Sequence, residues 1–110
     1  MDQVAQTGAV VPVLWRYEVA NGFLTAIRRK RIDAAYRAAS LADLRLLPII
    51  IDEAGDATAW TTTLGLADRF GLTMYDAVYL ELADRRSLAL ATGDRALRAA
   101  AQALTIDVLD

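Results

Sequence analysis

The side chains in this sequence that could support catalysis are carboxylates. The 110 residues include neither histidine nor cysteine, which excludes thiolate zinc sites, nucleophiles activated by histidine and imidazole acid–base chemistry. Any metal would therefore be bound through oxygen ligands, and carboxylates select hard cations such as Mg²⁺ or Mn²⁺. Three acidic residues occupy positions where such chemistry could occur: Glu18, Asp76 and Asp94.

Asp76 lies in "LTMYDAVYLELA", residues 72 to 83, an almost wholly apolar stretch with helical character. Its helical neighbours three and four positions on are Tyr79 and Leu80, so the carboxylate shares a face with apolar residues. A structural explanation competes with a functional one. Thr73 followed three residues later by Asp76 resembles a capping box, in which both residues stabilise the start of a helix.

Asp94 and Glu18 also have simple structural explanations. In "LALATGDRAL", Asp94 follows a predicted strand and begins a helix, which is the usual N-cap position. The carboxyl end of a parallel strand is also where open α/β sheets bind ligands, and Thr92 could add a hydroxyl there. Glu18 shares a polar stripe with Asn21, which taken alone is typical of a solvent-facing glutamate.

The elements that must position these residues alternate between strands and helices. Continuous apolar runs predict strands, and amphipathic or capped segments between them predict helices. Such an alternation implies an α/β fold with a parallel sheet covered on both faces by helices. The expected strands are 9–13, 46–51, 87–92 and 105–109, and the expected helices are 14–30, 32–44, 56–70, one that starts at Thr73 after Gly71, and 94–104.

Length and composition predict one compact globular domain. The chain is too short for two domains, and its charged fraction of 24% is ordinary for a soluble protein. No apolar run is long enough to cross a bilayer, and the first ten residues lack the features of a signal peptide. We therefore expect a cytoplasmic protein that does not contact the membrane.

The net charge of -2 gives no overall attraction to nucleic acid, but basic residues cluster locally. "RRKR", residues 28 to 31, holds four of the twelve basic residues. A run of this kind is usually a solvated helix end. Arg85, Arg86, Arg95 and Arg98 lie near one another further along the chain.

Three segments closely resemble the PIN domain, and within it the VapC-type ribonuclease toxins of toxin–antitoxin pairs. They are "VPVLWRYEVANGFL", "TMYDAVYLELADRRSLALATGDRAL" and the closing "IDVL", and the block "YDAVYLELA…LATGD" is the most specific. The resemblance extends from Ala9 onward. It implies a three-layer α/β sandwich and a Mg²⁺- or Mn²⁺-dependent endoribonuclease. Such proteins are usually dimeric, and an antitoxin protein inhibits them by occupying the active-site groove.

The resemblance also implies roles for individual residues. Glu18, Asp76 and Asp94 become the catalytic, metal-binding acids, with Thr92 as the neighbouring hydroxyl and Asn21 as a supporting side chain. The RNA backbone would need cationic partners, and the candidates are Arg28, Arg29, Arg85, Arg86 and Arg95. Clustered carboxylates repel one another unless a divalent cation neutralises them. Such a cation can lower the pKa of a bound water and stabilise the charge that develops on a phosphodiester. We therefore expect the three carboxylates to converge at the carboxyl edge of the sheet.

The sequence departs from the family at its start. PIN domains begin with a strand that ends in an aspartate, followed by one or two helices before the segment that matches "AVVPVLWRYEVAN". Here only "MDQVAQTG" precedes Ala9, and it resembles the tail of the second helix, so Asp2 is no substitute. We expect a single PIN-like domain over 1–110 without its first strand and first helix. Because the family's first strand is central, its absence should interrupt the sheet, force its neighbours to pair or invite another chain.

Three functions follow as alternatives. The first is a ribonuclease toxin that, without the first acid, binds its metal weakly and cleaves RNA poorly. The second is a non-catalytic PIN-like module that keeps a dimerisation or antitoxin-binding surface. The third is an unrelated α/β binding domain whose acidic residues are helix caps. For either PIN-like form, exposed apolar surface and unpaired strand edges predict a homodimer or larger oligomer.

Overall fold

Strands and helices alternate along residues 9–109, the part of the chain that the structure, a computed structural model, describes. The helical tail expected in "MDQVAQTG", and Asp2 with it, lie outside these residues. The alternation confirms the α/β class. The chain divides into two compact units between Ile51 and Asp52, and each is described by itself.

The first unit contains two strands and two helices. In chain order these are β1 (Ala9–Pro12), α1 (Leu14–Arg28), α2 (Ala34–Arg45) and β2 (Ile49–Asp52), whose last residue already belongs to the second unit. Strands β1 and β2 pair as a two-stranded sheet. Neither helix contains a buried residue.

Both helices of the first unit differ slightly from their expected limits. Helix α1 ends at Arg28 rather than at residue 30, because Lys30 has a left-handed backbone with φ of 58°. Helix α2 begins at Ala34 rather than at residue 32. The reason is that Asp33 is its N-cap, with Oδ1 accepting a hydrogen bond from the Tyr36 N–H at 2.8 Å.

The second unit contains the other helices and strands. They are a 3₁₀ helix (Ala54–Thr58), a π-helical segment (Ala59–Thr63), α3 (Leu64–Phe70), α4 (Met74–Arg86), β3 (Leu90–Ala91), α5 (Arg95–Ala103) and β4 (Val108–Leu109). The expectation of one α-helix over 56–70 was therefore wrong for its first half. Three β-branched threonines in succession have low helix propensity there, and the α-helical geometry begins only after Thr63.

Strands β3 and β4 are parallel, with Leu90 opposite Val108 and Ala91 opposite Leu109. They are much shorter than the expected strands 87–92 and 105–109. The preceding helices end in left-handed residues, Ser87 and Thr105. The backbone after each helix forms the hydrogen bonds that close these turns, so each strand begins only three residues after the left-handed residue.

The hydrophobic core of the second unit is formed where α3, α4 and α5 pack with the β3–β4 region. Its buried members are Leu66, Leu80, Ala83, Leu90, Leu97, Ala100, Ala101 and Ile106.

Between residues 9 and 109 the strands pair as two separate two-stranded sheets, not as the single sheet expected from the sequence. Over the same residues, no helix combines the length and the apolarity that a bilayer crossing demands.

Candidate active site

Glu18 and Asn21 lie on α1 in the first unit, and both are exposed. Their spacing of three residues places them on the same face of the helix, as the sequence indicated. Asp76, Asp94 and Thr92 belong to the second unit. The convergence of Glu18 with the two aspartates therefore stays a prediction.

Asp76 occupies the first turn of α4 and is half-buried. Thr73 is the N-cap of this helix, and its Oγ1 accepts a hydrogen bond from the Asp76 N–H at 3.1 Å. This confirms half of the expected capping box. In the other half the acidic side chain would bond back to the N-cap backbone, but the Asp76 carboxylate accepts no hydrogen bond from any residue within 9–109.

Asp94 is exposed and is the N-cap of α5, as the sequence predicted. Its Oδ1 accepts a hydrogen bond from the Leu97 N–H at 2.9 Å. Its own N–H donates to Thr92 Oγ1 at 3.0 Å, so the expected hydroxyl does lie beside it. The cap engages one carboxylate oxygen and leaves Oδ2 without a hydrogen bond to residues 9–109.

The arginines proposed to contact RNA differ in their surroundings. Arg28 and Arg29 are exposed at the end of α1, and Arg95 is exposed in the first turn of α5. Arg86, at the end of α4, makes a single long contact of 3.4 Å from Nη1 to Asp52 Oδ1. Arg85 makes more and shorter hydrogen bonds than Arg86 does.

Arg85 joins two buried carboxylates, Asp52 and Glu81. Its Nη2 lies 2.7 Å from Asp52 Oδ2 while Nη1 lies 3.1 Å from Oδ1, and Nε lies 2.7 Å from Glu81 Oε1. Thr58 Oγ1 also donates to Glu81 Oε1 at 3.2 Å. We call Asp52, Thr58, Glu81, Arg85 and Arg86 the polar cluster. It connects Asp52 and the 3₁₀ helix to α4 within the second unit.

The charges of the polar cluster stabilise one another. Hydrogen bonds from the Arg85 guanidinium hold the pKa of Asp52 below its ordinary value, against burial, which acts in the opposite direction. The hydrogen bonds to Asp52 and Glu81 raise the pKa of Arg85 above that of a free arginine. Bidentate Arg–carboxylate pairing of this kind is strong and specific in its geometry.

Sequence reasoning missed the acidic members of this cluster. Two signals were present. Asp52 directly follows the apolar run "LLPIII", at the carboxyl end of a strand, and Glu81 precedes Arg85 by four residues, the spacing of a helical ion pair. Neither signal reveals burial, because burial depends on what α4 packs against.

The oxygen donors of Asp76 and Asp94 suit a hard divalent cation chemically, since both aspartates have a carboxylate oxygen without a hydrogen-bond partner among residues 9–109. No group of three or more acidic side chains within 9–109 is arranged so that it could hold a metal ion together.

Comparison with known proteins finds a similarity to a solved structure. No family model and no curated protein matches the chain. The crystal structure of PAE2754 from Pyrobaculum aerophilum is similar, with a TM-score of 0.65 and 32% sequence identity. The similarity covers 83% of this chain and 60% of that protein, so this chain spans less than two thirds of PAE2754. The two share a fold over the matched residues.

Proposed function

We propose that this chain is a PIN-domain protein of the VapC type, a metal-dependent endoribonuclease with a three-layer α/β sandwich fold. In this proposal it forms a homodimer and is inhibited by an antitoxin protein. The observation that carries the proposal is the position of Asp76, a partly buried residue in the first turn of α4 whose carboxylate accepts no hydrogen bond from residues 9–109. Both carboxylate oxygens are therefore available to a cation.

Helix capping accounts for Thr73 but leaves the Asp76 side chain unexplained. The first-turn position is favourable for a negative charge, but the carboxylate takes no part in the cap and is available to a further ligand. A divalent cation bound by Asp76 and the spare oxygen of Asp94 would compensate both carboxylates. Binding of a divalent cation by both aspartates would distinguish the nuclease from an unrelated domain whose acidic residues are only caps.

Two observations at the level of the fold support the proposal. The chain resembles the PIN family in its sequence, and the family resemblance implies an α/β domain. Strands and helices alternate over residues 9–109, as that class requires. The shared fold with PAE2754 agrees with an α/β domain of this size.

Each residue of the proposed site has a task in RNA cleavage. Glu18, Asp76 and Asp94 would hold Mg²⁺ or Mn²⁺, which supplies a more acidic bound water and stabilises charge on the phosphodiester. The hydrogen bond from the Leu97 N–H fixes the orientation of the Asp94 carboxylate. Thr92 holds the Asp94 backbone in place. Asn21 supports Glu18 on the same face of α1.

The exposed arginines would bind the RNA backbone. Each phosphate neutralised releases counterions, so this term gives affinity without sequence preference. In this scheme Arg28, Arg29 and Arg95 are the accessible cations, and Arg86 has one long contact. Arg85 has its guanidinium engaged by Asp52 and Glu81, and we assign to it a mainly structural task.

A non-catalytic PIN-like module is the second candidate. It is favoured by the lack of a three-carboxylate group among residues 9–109. The sequence also has no counterpart of the family's strand-borne first aspartate. Losing one ligand displaces the others, and a displacement of ~1 Å can cost on the order of 100-fold in rate. We therefore expect the 110-residue chain to bind metal weakly and to cleave RNA slowly.

The test is Mg²⁺- or Mn²⁺-dependent cleavage of a structured RNA. The parent chain is compared with Asp76→Asn, Asp94→Asn and a control, Asp68→Asn, an exposed acid on α3. Asparagine is as good an N-cap as aspartate, so Asp94→Asn removes a metal ligand without unfolding α5. We expect slow cleavage that both site variants abolish and the control preserves.

A second comparison separates the two candidates. A chain extended by an N-terminal strand ending in aspartate should cleave much faster than the 110-residue chain if the enzyme is correctly assigned. No cleavage by either chain, with the fold intact, would favour the non-catalytic module. Equal rates abolished by Asp76→Asn would show that three acids are sufficient.

A further inference from the structure

Arg98 contacts both ends of the turn that carries Asp94, a proposed metal ligand. The turn consists of Thr92, Gly93 and Asp94, between β3 and α5. The Arg98 Nη2 lies 3.4 Å from the carbonyl oxygen of Thr92, and the Arg98 N–H donates to the Asp94 carbonyl at 3.0 Å. One residue of α5 therefore connects the end of the strand to the start of the helix.

Thr92 is hydrogen-bonded through three of its groups. Its N–H donates to the Leu109 carbonyl of β4 at 3.4 Å, and its Oγ1 accepts from the Asp94 N–H at 3.0 Å. Its carbonyl accepts from the Arg98 guanidinium. This last contact is long, but its donor is charged, and charge-assisted hydrogen bonds are about twice as strong as neutral ones. Arg98 therefore contributes to holding Thr92 in place.

Gly93, at the centre of the turn, leaves the backbone there easily displaced. A Cβ at this position would meet no atom within 4 Å, and its φ is not positive, so neither space nor conformation requires glycine. Glycine has more conformational freedom to lose than any other residue. The direction of the Asp94 carboxylate therefore depends on the hydrogen bonds on either side of Gly93.

The contact from Arg98 steadies the turn without using the oxygen that a metal would need. Arg98 lies four residues after Asp94, the spacing of a helical ion pair. The Asp94 carboxylate instead accepts from the Leu97 N–H through Oδ1, and Oδ2 accepts no hydrogen bond within residues 9–109. Because the Arg98 guanidinium donates to the Thr92 carbonyl, Oδ2 stays available to a cation.

We propose that Arg98 is a positioning residue, which fixes the turn from Thr92 to Asp94 and so orients the Asp94 carboxylate toward the metal. This inference rests on the proposed nuclease function and adds a residue that acts on its metal site through another. Groups that orient a metal ligand typically contribute roughly 10–100-fold to metal affinity. A single long contact corresponds to the lower end of this range, about 10-fold.

Two variants of Arg98 separate the guanidinium from the rest of the side chain. Arg98→Met keeps an apolar side chain that can pack in place of the arginine stem, but it removes the hydrogen-bond donor. Arg98→Lys restores a charged donor. Gln102→Ala is the matched control, because Gln102 is an exposed polar residue one turn further along α5.

The first measurement uses the metal-free protein and needs no activity. The ¹⁵N order parameters of the Gly93 and Asp94 amides should be about 0.85, the value of rigid backbone, in the parent, Arg98→Lys and Gln102→Ala. In Arg98→Met they should fall toward about 0.6. Unchanged order parameters in Arg98→Met would overturn the proposal.

The second measurement is a titration with Mn²⁺ followed by electron paramagnetic resonance. Asp94→Asn should remove most of the binding, which identifies the site. Arg98→Met should weaken Mn²⁺ binding about 10-fold, whereas Arg98→Lys and Gln102→Ala should bind Mn²⁺ like the parent. Equal weakening by Arg98→Met and Arg98→Lys would overturn the proposal, because the effect would not depend on the donor.

The outcomes separate this inference from the proposed function. Mn²⁺ binding that Asp94→Asn removes and Arg98→Met leaves unchanged would overturn the positioning role alone. No Mn²⁺ binding by the parent would overturn the proposed metal site and, with it, the role of Arg98 toward a metal.

Discussion

At the residue scale, the polar cluster shows how one arginine can satisfy two buried acids. Asp52 and Glu81 are both buried, and a buried carboxylate without a partner is strongly destabilising. Arg85 donates hydrogen bonds to both carboxylates, and the Thr58 hydroxyl donates a further hydrogen bond to Glu81. Among residues 9–109, no buried side-chain polar atom lacks a hydrogen bond. Arg85 is therefore a stabilising residue of the second unit.

Replacing Arg85 should cost far more than replacing its neighbour. Arg85→Ala leaves two buried carboxylates without their main donor, and we expect a loss of about 3 kcal/mol in the free energy of unfolding. Arg86→Ala, the matched control, removes one long contact from a more exposed side chain and should cost below about 1 kcal/mol. Urea unfolding followed by circular dichroism measures both. Equal losses would contradict the structural assignment of Arg85.

The lowered pKa of Asp52 makes its contribution to stability depend on pH. A carboxyl whose pKa is lower in the folded state than in the unfolded state stabilises the fold above the unfolded value of about 4. That stability is lost as the pH falls through the folded-state pKa. We expect the difference in unfolding free energy between the parent and Asp52→Asn to shrink as the pH falls from about 6 to about 3. A difference that stays constant over this range would exclude Asp52 as the titrating group.

At the element scale, two glycines near α3 predict opposite effects of the same substitution. Gly71 ends α3 in the left-handed conformation, with φ of 65°. Gly65 lies inside the helix, and an added Cβ there meets no atom within 4 Å. Gly71→Ala should therefore destabilise the protein by about 1 kcal/mol, and Gly65→Ala should stabilise it by about 0.5–1 kcal/mol. Thermal unfolding of the two variants tests this, and a shift of the same sign in both would refute it.

The 3₁₀ and π-helical segments depend on the polar cluster more than on their own propensity. Gly55 lies against it, since a Cβ at this position would be 3.6 Å from Asp52 Oδ2 and 3.8 Å from Arg85 Nη2. These are ordinary contact distances, so the cluster approaches the backbone closely without crowding it. Thr58 then links the 3₁₀ helix to Glu81. A short segment with poor helical propensity is held in place by side chains from α4.

At the scale of the whole molecule, exposed apolar surface predicts self-association. Neither α1 nor α2 buries a residue, and Trp60 in the π-helical segment is 90% exposed. The two-stranded sheets also leave backbone hydrogen-bonding groups at their edges. We expect a dimer or larger oligomer in sedimentation velocity experiments at micromolar concentration. A monodisperse monomer under these conditions would contradict this expectation.

Local signals in the sequence predicted the features that depend on a few neighbouring residues. Thr73 and Asp94 cap α4 and α5, and Gly71 adopts the left-handed conformation after α3, all as expected. A cap forms between residues two to four positions apart, so its geometry is independent of how elements pack. The alternation of apolar strands with helices likewise identified the α/β class.

The tertiary structure alone decided which charges are buried and which strands pair. Arg85 and Asp52 are 33 positions apart, so their contact exists only because Asp52, at the start of the second unit, lies against α4. The chain's own pattern identified Arg85 as a surface cation and left Asp52 and Glu81 unassigned. Strand pairing is non-local in the same way, since each strand could hydrogen-bond to several others. The pairing of β1 with β2 and of β3 with β4 therefore depends on packing between residues that are distant in sequence.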